Sequence, residues 1–287
     1  MSGNAWRDRY FTSSDGLRLY YRDFASPGSG RAPVLCLPGL TRNSRDFETT
    51  ALRLQRTRRV LCADLRGRGR SQHDPNWQNY HPGTYVADIA LLLADAGVAR
   101  VVLLGTSLGG YLSMAMAATT PRLPAAVILN DIGPEVDRAG LARIAAYVGR
   151  DSTAQNWAEA AQRARDVNGH AFPELGEDEW LAFARRTWIE ADGVIHLDMD
   201  PRIGDAVRAA PAAAAPDLWP LYAALVSVPT LAIRGANSDV LSAATFDRML
   251  REKPDLRRVT VPGRGHAPSL DEPTCSEAID GFLENVE

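Results

Sequence analysis

Residues 101–120 read VVLLGTSLGGYLSMAMAATT. The opening run is apolar, β-branched and leucine-rich, which is typical of a buried strand, and the pattern from Leu108 onward is typical of a helix. Between the two elements stands G-T-S-L-G, whose form G-x-S-x-G marks a sharp strand-to-helix turn that holds a serine in a strained, exposed conformation. The stretch therefore predicts that Ser107 is a nucleophile at the carboxyl end of a buried strand.

The glycines of this turn have a steric reason. Strand and helix approach each other closely at so sharp a turn, which leaves no room for a side chain two positions before or after the serine. Gly105 and Gly109 stand at those two positions. We therefore expect both to lie where a larger residue would not fit.

Short apolar runs recur along the chain, and amphipathic stretches separate most of them. The runs that predict strands cover residues 17–24, 34–37, 60–64, 101–105, 126–130, 230–235 and 258–261. The stretches that predict helices cover residues 47–55, 85–96, 108–120, 243–251 and 274–285. Since the runs are apolar throughout and alternate with helices, they predict an α/β fold with a mostly parallel central sheet and helices on both faces.

The alternation is interrupted between Pro134 and Val228. That segment carries helical patterns at residues 141–148, 153–167 and 178–190, a strand candidate at 194–199, and an alanine- and proline-rich piece at 209–216. An insertion between two sheet strands suits a cap over the carboxyl edge of the sheet, where ligands bind in open α/β folds. We therefore predict a core of residues 1–133 and 229–287 and a mainly helical cap of residues 134–228.

Four of the six tryptophans fall in this predicted cap, namely Trp157, Trp180, Trp188 and Trp219. Side chains of this size either line a ligand pocket or fill the interior of the cap itself. Both interpretations stay open for each of the four. Trp188 is the candidate for the substrate pocket.

A serine hydroxyl needs a base within hydrogen-bond reach before it becomes a good nucleophile. His266 lies in G-R-G-H-A-P, a turn-rich loop after the last predicted strand, so that it can project over the carboxyl edge of the sheet. The other histidines lie in a polar loop or in the predicted cap; they are His73, His81, His170 and His196. His266 is therefore the predicted base.

The imidazole in turn needs a carboxylate that fixes its tautomer and stabilises the imidazolium. Asp239 follows the predicted strand at 230–235, which is nearer in sequence to the histidine loop than the strand before Asp131, and we predict that it is this acid. Asp131 is the rival, because it follows the neighbouring strand at 126–130. The chain order Ser107, Asp239, His266 is the order that accompanies the G-x-S-x-G turn, and it differs from the orders in two unrelated protease folds.

An oxyanion intermediate needs backbone N–H donors that are in place before the charge develops. One predicted donor is Leu108, at the start of the helix, where the helix dipole also favours negative charge. The second should come from the turn after the strand at 34–37. Because Pro38 has no N–H and Gly39 lets the chain turn, Leu40 is the predicted second donor.

The composition narrows the classes of partner. Hydrophobic residues make up 45% of the chain and charged residues 23%, which suits a globular protein with a large core. The formal net charge of -3 gives no basic footprint for nucleic acid or an anionic membrane. No secretory signal or membrane span is visible, and the three cysteines predict buried thiols, so we expect a cytoplasmic protein with a small-molecule partner.

Together these residues resemble the α/β-hydrolase superfamily. The resemblance spans essentially the whole chain and includes D-L-R-G-R-G-R-S, residues 64–71, which looks like the superfamily's loop after the strand that precedes the nucleophile strand. Within the superfamily, the chain looks most like small capped bacterial carboxylesterases and enol-lactonases. It departs from many relatives at the oxyanion turn, where Pro38-Gly39 stands in place of His-Gly.

The resemblance implies a serine hydrolase that cleaves an ester or lactone of a small molecule through an acyl-enzyme, without a cofactor or metal. Two alternatives remain. Meta-cleavage hydrolases, which break C–C bonds, share the architecture, although their glycine-rich oxyanion stretch is not matched here. Some proteins of this fold keep the three catalytic side chains yet act as small-molecule receptors. The sequence predicts neither the acyl and alcohol groups nor the oligomeric state.

Overall fold

The computed structural model describes residues 5–26, 28, 30–150, 153–209 and 217–287. The strands in these ranges are β1 (Arg7–Thr12), β2 (Arg18–Phe24), β3 (Val34–Leu37), β4 (Val60–Asp64), β5 (Val101–Thr106), β6 (Pro124–Asn130), β7 (Thr153–Ala154), β8 (Trp188–Ala191), β9 (Val194–Leu197), β10 (Thr230–Gly235) and β11 (Arg257–Val261). The α-helices are α1 (Glu48–Leu54), α2 (Pro82–Asp95), α3 (Leu108–Thr119), α4 (Arg138–Tyr147), α5 (Trp157–Asn168), α6 (Glu177–Thr187), α7 (Ile203–Ala209), α8 (Trp219–Ala223), α9 (Ala243–Glu252) and α10 (Pro273–Leu283).

Eight strands form the central sheet, in the order β1-β2-β4-β3-β5-β6-β10-β11. The pairs β1·β2 and β2·β4 are antiparallel, whereas every pair from β4 to β11 along this order is parallel. The prediction of a mostly parallel sheet is confirmed. Since the carboxyl ends of parallel strands meet at one edge, the residues that follow β5, β6, β10 and β11 come together there.

The central strands are buried because their side chains pack on both faces of the sheet. In β3, Leu35 and Leu37 join the apolar cluster on one face, and Val34 and Cys36 join the cluster on the other. This alternation follows the two-residue period of a strand. Uniformly apolar sequence is the result, which is why these strands could be recognised from the sequence alone.

The first strand, β1, was not predicted. It pairs with β2 along its whole length as the outer strand of the sheet. Its sequence, RDRYFT, is mostly exposed and carries no apolar run. A strand with so little buried surface leaves too weak a periodic signal to be recognised.

Between β6 and β10 the chain adds the elements from α4 to α8. The predicted helix at 178–190 is too long, because α6 ends at Thr187 and β8 begins at Trp188. The strands β8 and β9 form a hairpin across Asp192 and Gly193, both of which have positive φ. An Asp-Gly pair is a strong hairpin signal, and it explains why the helix stops.

This inserted segment has an apolar cluster of its own, which includes Trp180, Phe183 and Trp188. The predicted strand at 194–199 corresponds to β9. Most of the alanine- and proline-rich piece at 209–216 lies outside the described residues. The division of the chain into a core and a separate cap stays a prediction.

Candidate active site

Ser107 occupies a strained turn between β5 and α3. Its backbone has φ 52° and ψ −114°, a conformation that non-glycine residues rarely adopt and that costs about 1–3 kcal/mol. The Ser107 N–H donates to the carbonyl of Asn130, at the end of β6, over 3.0 Å. The turn is thereby tied to the neighbouring strand.

The two glycines of this turn lie against backbone, as expected. A Cβ on Gly105 would come within 2.2 Å of the carbonyl carbon of Gly109. A Cβ on Gly109 would come within 2.0 Å of the carbonyl oxygen of Leu37 in β3. Because backbone atoms cannot move aside as a flexible side chain can, only glycine fits at either position.

We predict that Gly109→Ala destabilises the protein by about 1–3 kcal/mol or more, since the added methyl group must displace β3 or α3. Gly281→Ala is the matched control, because a Cβ on Gly281 of α10 would meet no atom within 4 Å. In a helix the control should gain about 0.5–1 kcal/mol. Urea denaturation of both variants measures the difference, and equal effects would contradict the packing described here.

His266 lies in the loop after β11, with its ring beside the serine. The distance from His266 Nε2 to Ser107 Oγ is 2.9 Å, and the histidine side chain is only 9% exposed. Its loop is held against the inserted segment, because the Gly265 N–H donates to the carbonyl of Ala171 over 2.8 Å. The expected contact between Ser107 and His266 is present.

The carboxylate that contacts the histidine is Asp131. Its Oδ2 lies 2.8 Å from His266 Nδ1, and its side chain is fully buried. The same carboxylate accepts hydrogen bonds from the Gly235 N–H at 2.7 Å and from the Ser238 hydroxyl at 2.6 Å. These contacts hold Asp131 in one orientation under the imidazole.

The prediction that the Asp239 carboxylate contacts His266 is therefore wrong, because Asp131 makes that contact. Asp239 instead accepts two hydrogen bonds from Arg143 of α4, at 2.6 and 2.9 Å. The hydrogen bonds from Arg143 hold the pKa of Asp239 below its usual value. Asp239 is partly exposed, and it serves as the partner of a cationic side chain on the inserted segment.

The physical reason is the order of strands in the sheet. Asp131 follows β6, which is the direct neighbour of β5, the strand before Ser107, whereas Asp239 follows β10, one strand further away. Asp131 also stands directly after its strand, with φ 53°, while three residues separate Asp239 from Gly235 at the end of β10. Those added residues let Asp239 turn outward to Arg143.

The predicted oxyanion turn lies beside the serine. A Cβ on Gly39 would lie 3.7 Å from Ser107 Cβ, so that the turn and Ser107 are in contact. Among the described residues, neither the Leu40 N–H nor the Leu108 N–H donates a hydrogen bond to another protein group. Leu108 is also the first residue of α3. Their role as donors to an oxyanion stays a prediction.

Arg68 is a residue of this site that the sequence reasoning missed. Its buried guanidinium donates to the carbonyl of Leu40 over 2.6 Å and to the carbonyl of Arg66 over 2.8 Å. It thereby fixes the turn that carries the Leu40 N–H. In the sequence, residues 64–71 contribute only to the family resemblance, and their arginine-rich pattern gives no sign of this contact.

A cavity of about 360 Å³ opens beside Ser107 and His266. Core residues, including Leu40, line one side, and residues of α4, α5, α6 and β8 line the other. Trp188 is among them, and it is also 4% exposed within the apolar cluster of the inserted segment. Trp188 thus lines the cavity and also packs in the interior of the inserted segment, which are the two interpretations that the sequence left open.

Two further features concern the described residues as a whole. None of the described helices is both long and apolar enough to cross a membrane. In the same ranges, no group of three histidine, cysteine, aspartate or glutamate side chains is arranged to hold a metal ion. The cysteines Cys36, Cys62 and Cys275 are buried and unpaired.

A strand–serine–helix turn, with histidine and aspartate at the same edge of a mostly parallel sheet, is typical of the class of α/β hydrolases. The chain belongs to the alpha/beta hydrolase family, whose model matches residues 34–274.

Particular relatives are similar along almost the whole chain. A crystal structure of an alpha/beta hydrolase from Novosphingobium aromaticivorans is 45% identical, covers 99% of each chain and has a TM-score of 0.93. The 3-hydroxybutyrate-oligomer hydrolase of Cupriavidus necator is 31% identical and covers 89% of each chain. The 2-(acetamidomethylene)succinate hydrolase of Mesorhizobium japonicum is 30% identical and covers 90% of this chain and 89% of its own.

Proposed function

We propose that this protein is a serine hydrolase that cleaves a carboxylic ester or lactone of a small molecule. The observation that carries the proposal is the hydrogen-bonded series from Ser107 through His266 to Asp131, with the serine and the histidine on the wall of a cavity. A nucleophile, a base and an orienting acid are thus in contact at one place. In such an arrangement each group has a defined role.

In the first step, Ser107 Oγ attacks the carbonyl carbon of the ester. His266 Nε2, at 2.9 Å, accepts the hydroxyl proton as the new C–O bond forms. The imidazole becomes positively charged, and the Asp131 carboxylate at Nδ1 stabilises that charge. Because Asp131 is buried and already accepts two further hydrogen bonds, little reorganisation is needed when the charge appears.

The carbonyl oxygen of the substrate becomes an oxyanion in this step. We propose that the N–H groups of Leu40 and Leu108 donate to it, with the start of α3 adding a favourable dipole. Arg68, through the Leu40 carbonyl, is a positioning residue for this turn. Removing one such donor typically costs about 10²–10³ in rate.

The intermediate then collapses and leaves an acyl group on Ser107. His266 returns its proton to the departing alcohol oxygen, so that the ester C–O bond breaks and the alcohol leaves. A water molecule next attacks the acyl-enzyme while His266 again accepts a proton, and the carboxylic acid is released with Ser107 restored. One ester and one water thereby give one alcohol and one acid.

The substrate class is supported by the relative from Cupriavidus necator, whose name specifies 3-hydroxybutyrate oligomers. Such oligomers are linear esters of a short hydroxy acid, and a cavity of about 360 Å³ is at the small end of ligand pockets. The second relative is named for 2-(acetamidomethylene)succinate, so a test must also allow for hydrolysis of bonds other than esters. We propose short hydroxy-acid esters as the substrate class.

The test is a panel of 4-nitrophenyl esters with acyl chains from two to twelve carbons, together with γ- and δ-lactones and linear 3-hydroxybutyrate dimers. We predict many turnovers per protein molecule, and kcat/KM that falls by at least about tenfold for the longest acyl chains, because they exceed the cavity. A single equivalent of product would favour the receptor alternative. Absence of ester and lactone hydrolysis, with cleavage of a C–C substrate, would instead favour the meta-cleavage alternative.

A further inference from the structure

The wall of the cavity carries more positive than negative side chains. Its charged residues are Arg42, Arg150, Arg163, Arg186, Asp46 and Asp166. Charges on an enclosed wall are screened less than charges in open solvent, so their balance bears on which ligands can enter. A ligand is attracted most by an arginine whose charge no neighbouring carboxylate compensates, so the partners of the four arginines differ in their consequence.

Two of the four are paired. Arg42 donates two hydrogen bonds to Asp46, each 2.6 Å long, and both side chains line the cavity. Arg163 donates to Glu159 one turn earlier on α5, at 2.8 and 3.1 Å. A third, Arg150, is exposed to solvent, where water screens its charge.

Arg186, near the end of α6, is in a different position. Its side chain is 34% exposed, and the nearest carboxylate oxygen, Asp271 Oδ2, lies 4.0 Å from its Nη1. Its Nε is buried and has no acceptor anywhere in the described residues. A buried donor without a partner costs about 1–3 kcal/mol, so the protein satisfies this guanidinium poorly, and the exposed part of the same side chain lines the cavity.

The pKa of Asp271 agrees with a loose ion pair between Asp271 and Arg186. Burial raises the pKa of Asp271 to about 6, and the attraction of Arg186 offsets this only in part. A carboxylate in a tight ion pair would instead have a lowered pKa. The separation of 4.0 Å and the raised pKa together indicate that the ion pair between Asp271 and Arg186 is a weak one.

We propose that Arg186 forms the anion-binding end of the cavity and takes a carboxylate of the substrate. The inference rests on the proposed function, and it specifies that the ester carries a free acid group. The ring of Phe183 lies close to both Arg186 and Arg42, with its centroid 6.0 and 4.3 Å from the two guanidinium carbons. An apolar chain that ends in a carboxylate matches a wall of this kind.

A carboxylate is favoured over other groups by the geometry of arginine. The planar guanidinium presents N–H groups in a fork that fits two carboxylate oxygens at once. A single positive charge that is only loosely paired also suits a monoanion. A linear hydroxy-acid oligomer has one such group at its end.

The test compares two linear 3-hydroxybutyrate dimers that share the same internal ester. One ends in a free carboxylate and the other in a carboxamide, which is neutral and of similar size. We expect wild-type kcat/KM to favour the acid by about 10- to 100-fold, the discrimination that a lost charged hydrogen bond typically produces. Arg186→Gln should bring the ratio close to one, and Arg163→Gln, which changes a paired arginine of the same cavity, should keep the wild-type ratio.

Binding without turnover provides a second measurement. Calorimetric titration of wild-type protein with 3-hydroxybutyrate and with 3-hydroxybutyramide should show tighter binding of the acid by about tenfold or more. Equal affinities, equal wild-type kcat/KM for the two dimers, or a ratio unchanged in a folded Arg186→Gln variant would each overturn the inference. Hydrolysis of both dimers at equal rates would leave the proposed function standing, whereas hydrolysis of neither dimer, with the acid still bound more tightly, would remove the function and keep the anion site.

Discussion

Ser107→Ala is expected to lower kcat for any substrate of this protein by about 10⁴- to 10⁶-fold, because no other group can form the acyl-enzyme. The fold should survive, since removing one hydroxyl leaves the backbone of the turn and its glycines in place. Steady-state kinetics measure the loss, and a thermal melt checks the fold.

Ser113→Ala is the control for this variant. Ser113 lies on the same helix, is buried, and donates only to the carbonyl of Gly109. It should keep kcat within a few-fold of wild type. If Ser107→Ala retained more than a few per cent of wild-type kcat, the assignment of the nucleophile would be wrong.

The second large effect is expected at Asp131. Asp131→Asn should lower kcat by about 10⁴-fold, because an amide stabilises the wrong tautomer of His266 and cannot balance the imidazolium. Asp239→Asn, which loses a partly exposed ion pair with Arg143, should cost less than about tenfold. The two variants make the same chemical change at the ends of neighbouring strands, so each is a control for the other.

Stability must be measured beside activity for this pair. Asp131 also accepts hydrogen bonds from Gly235 and Ser238, and an amide can donate where the carboxylate accepted. A lowered melting temperature is therefore expected for Asp131→Asn, and kcat should be taken well below it. A large loss for Asp239→Asn with a small loss for Asp131→Asn would contradict the contacts described here.

The core of the fold could be predicted because its signal is local and repeated. The strands β3, β4 and β10 have the predicted bounds, since buried strands of this kind are apolar at most positions. What escaped prediction has little apolar surface, as in β1, or depends on a turn inside a helical pattern, as at β8. The Asp192-Gly193 pair was the available signal for the second case.

The sequence predicts only those parts of the site that depend on residues close together in the chain. Ser107 and His266 stand in distinctive local contexts, and the structure brings them together. The choice between the two aspartates depends on which strand lies next to β5, and distance in sequence does not give that order. The contact of Asp239 with Arg143 joins two segments 96 residues apart, and no local pattern reports it.

The central claim is that Ser107 is the activated nucleophile of a hydrolase, and labelling with a fluorophosphonate tests it most directly. Such a reagent phosphonylates a serine whose proton is removed by a neighbouring base, with loss of fluoride. Intact-protein mass spectrometry should show a single adduct, peptide mapping should place it on Ser107, and activity should fall in proportion to the labelled fraction. Ser107→Ala should take up no label, and Asp131→Asn should label much more slowly than Asp239→Asn. An adduct on another residue, or a fully labelled protein that still hydrolyses its ester, would contradict the account.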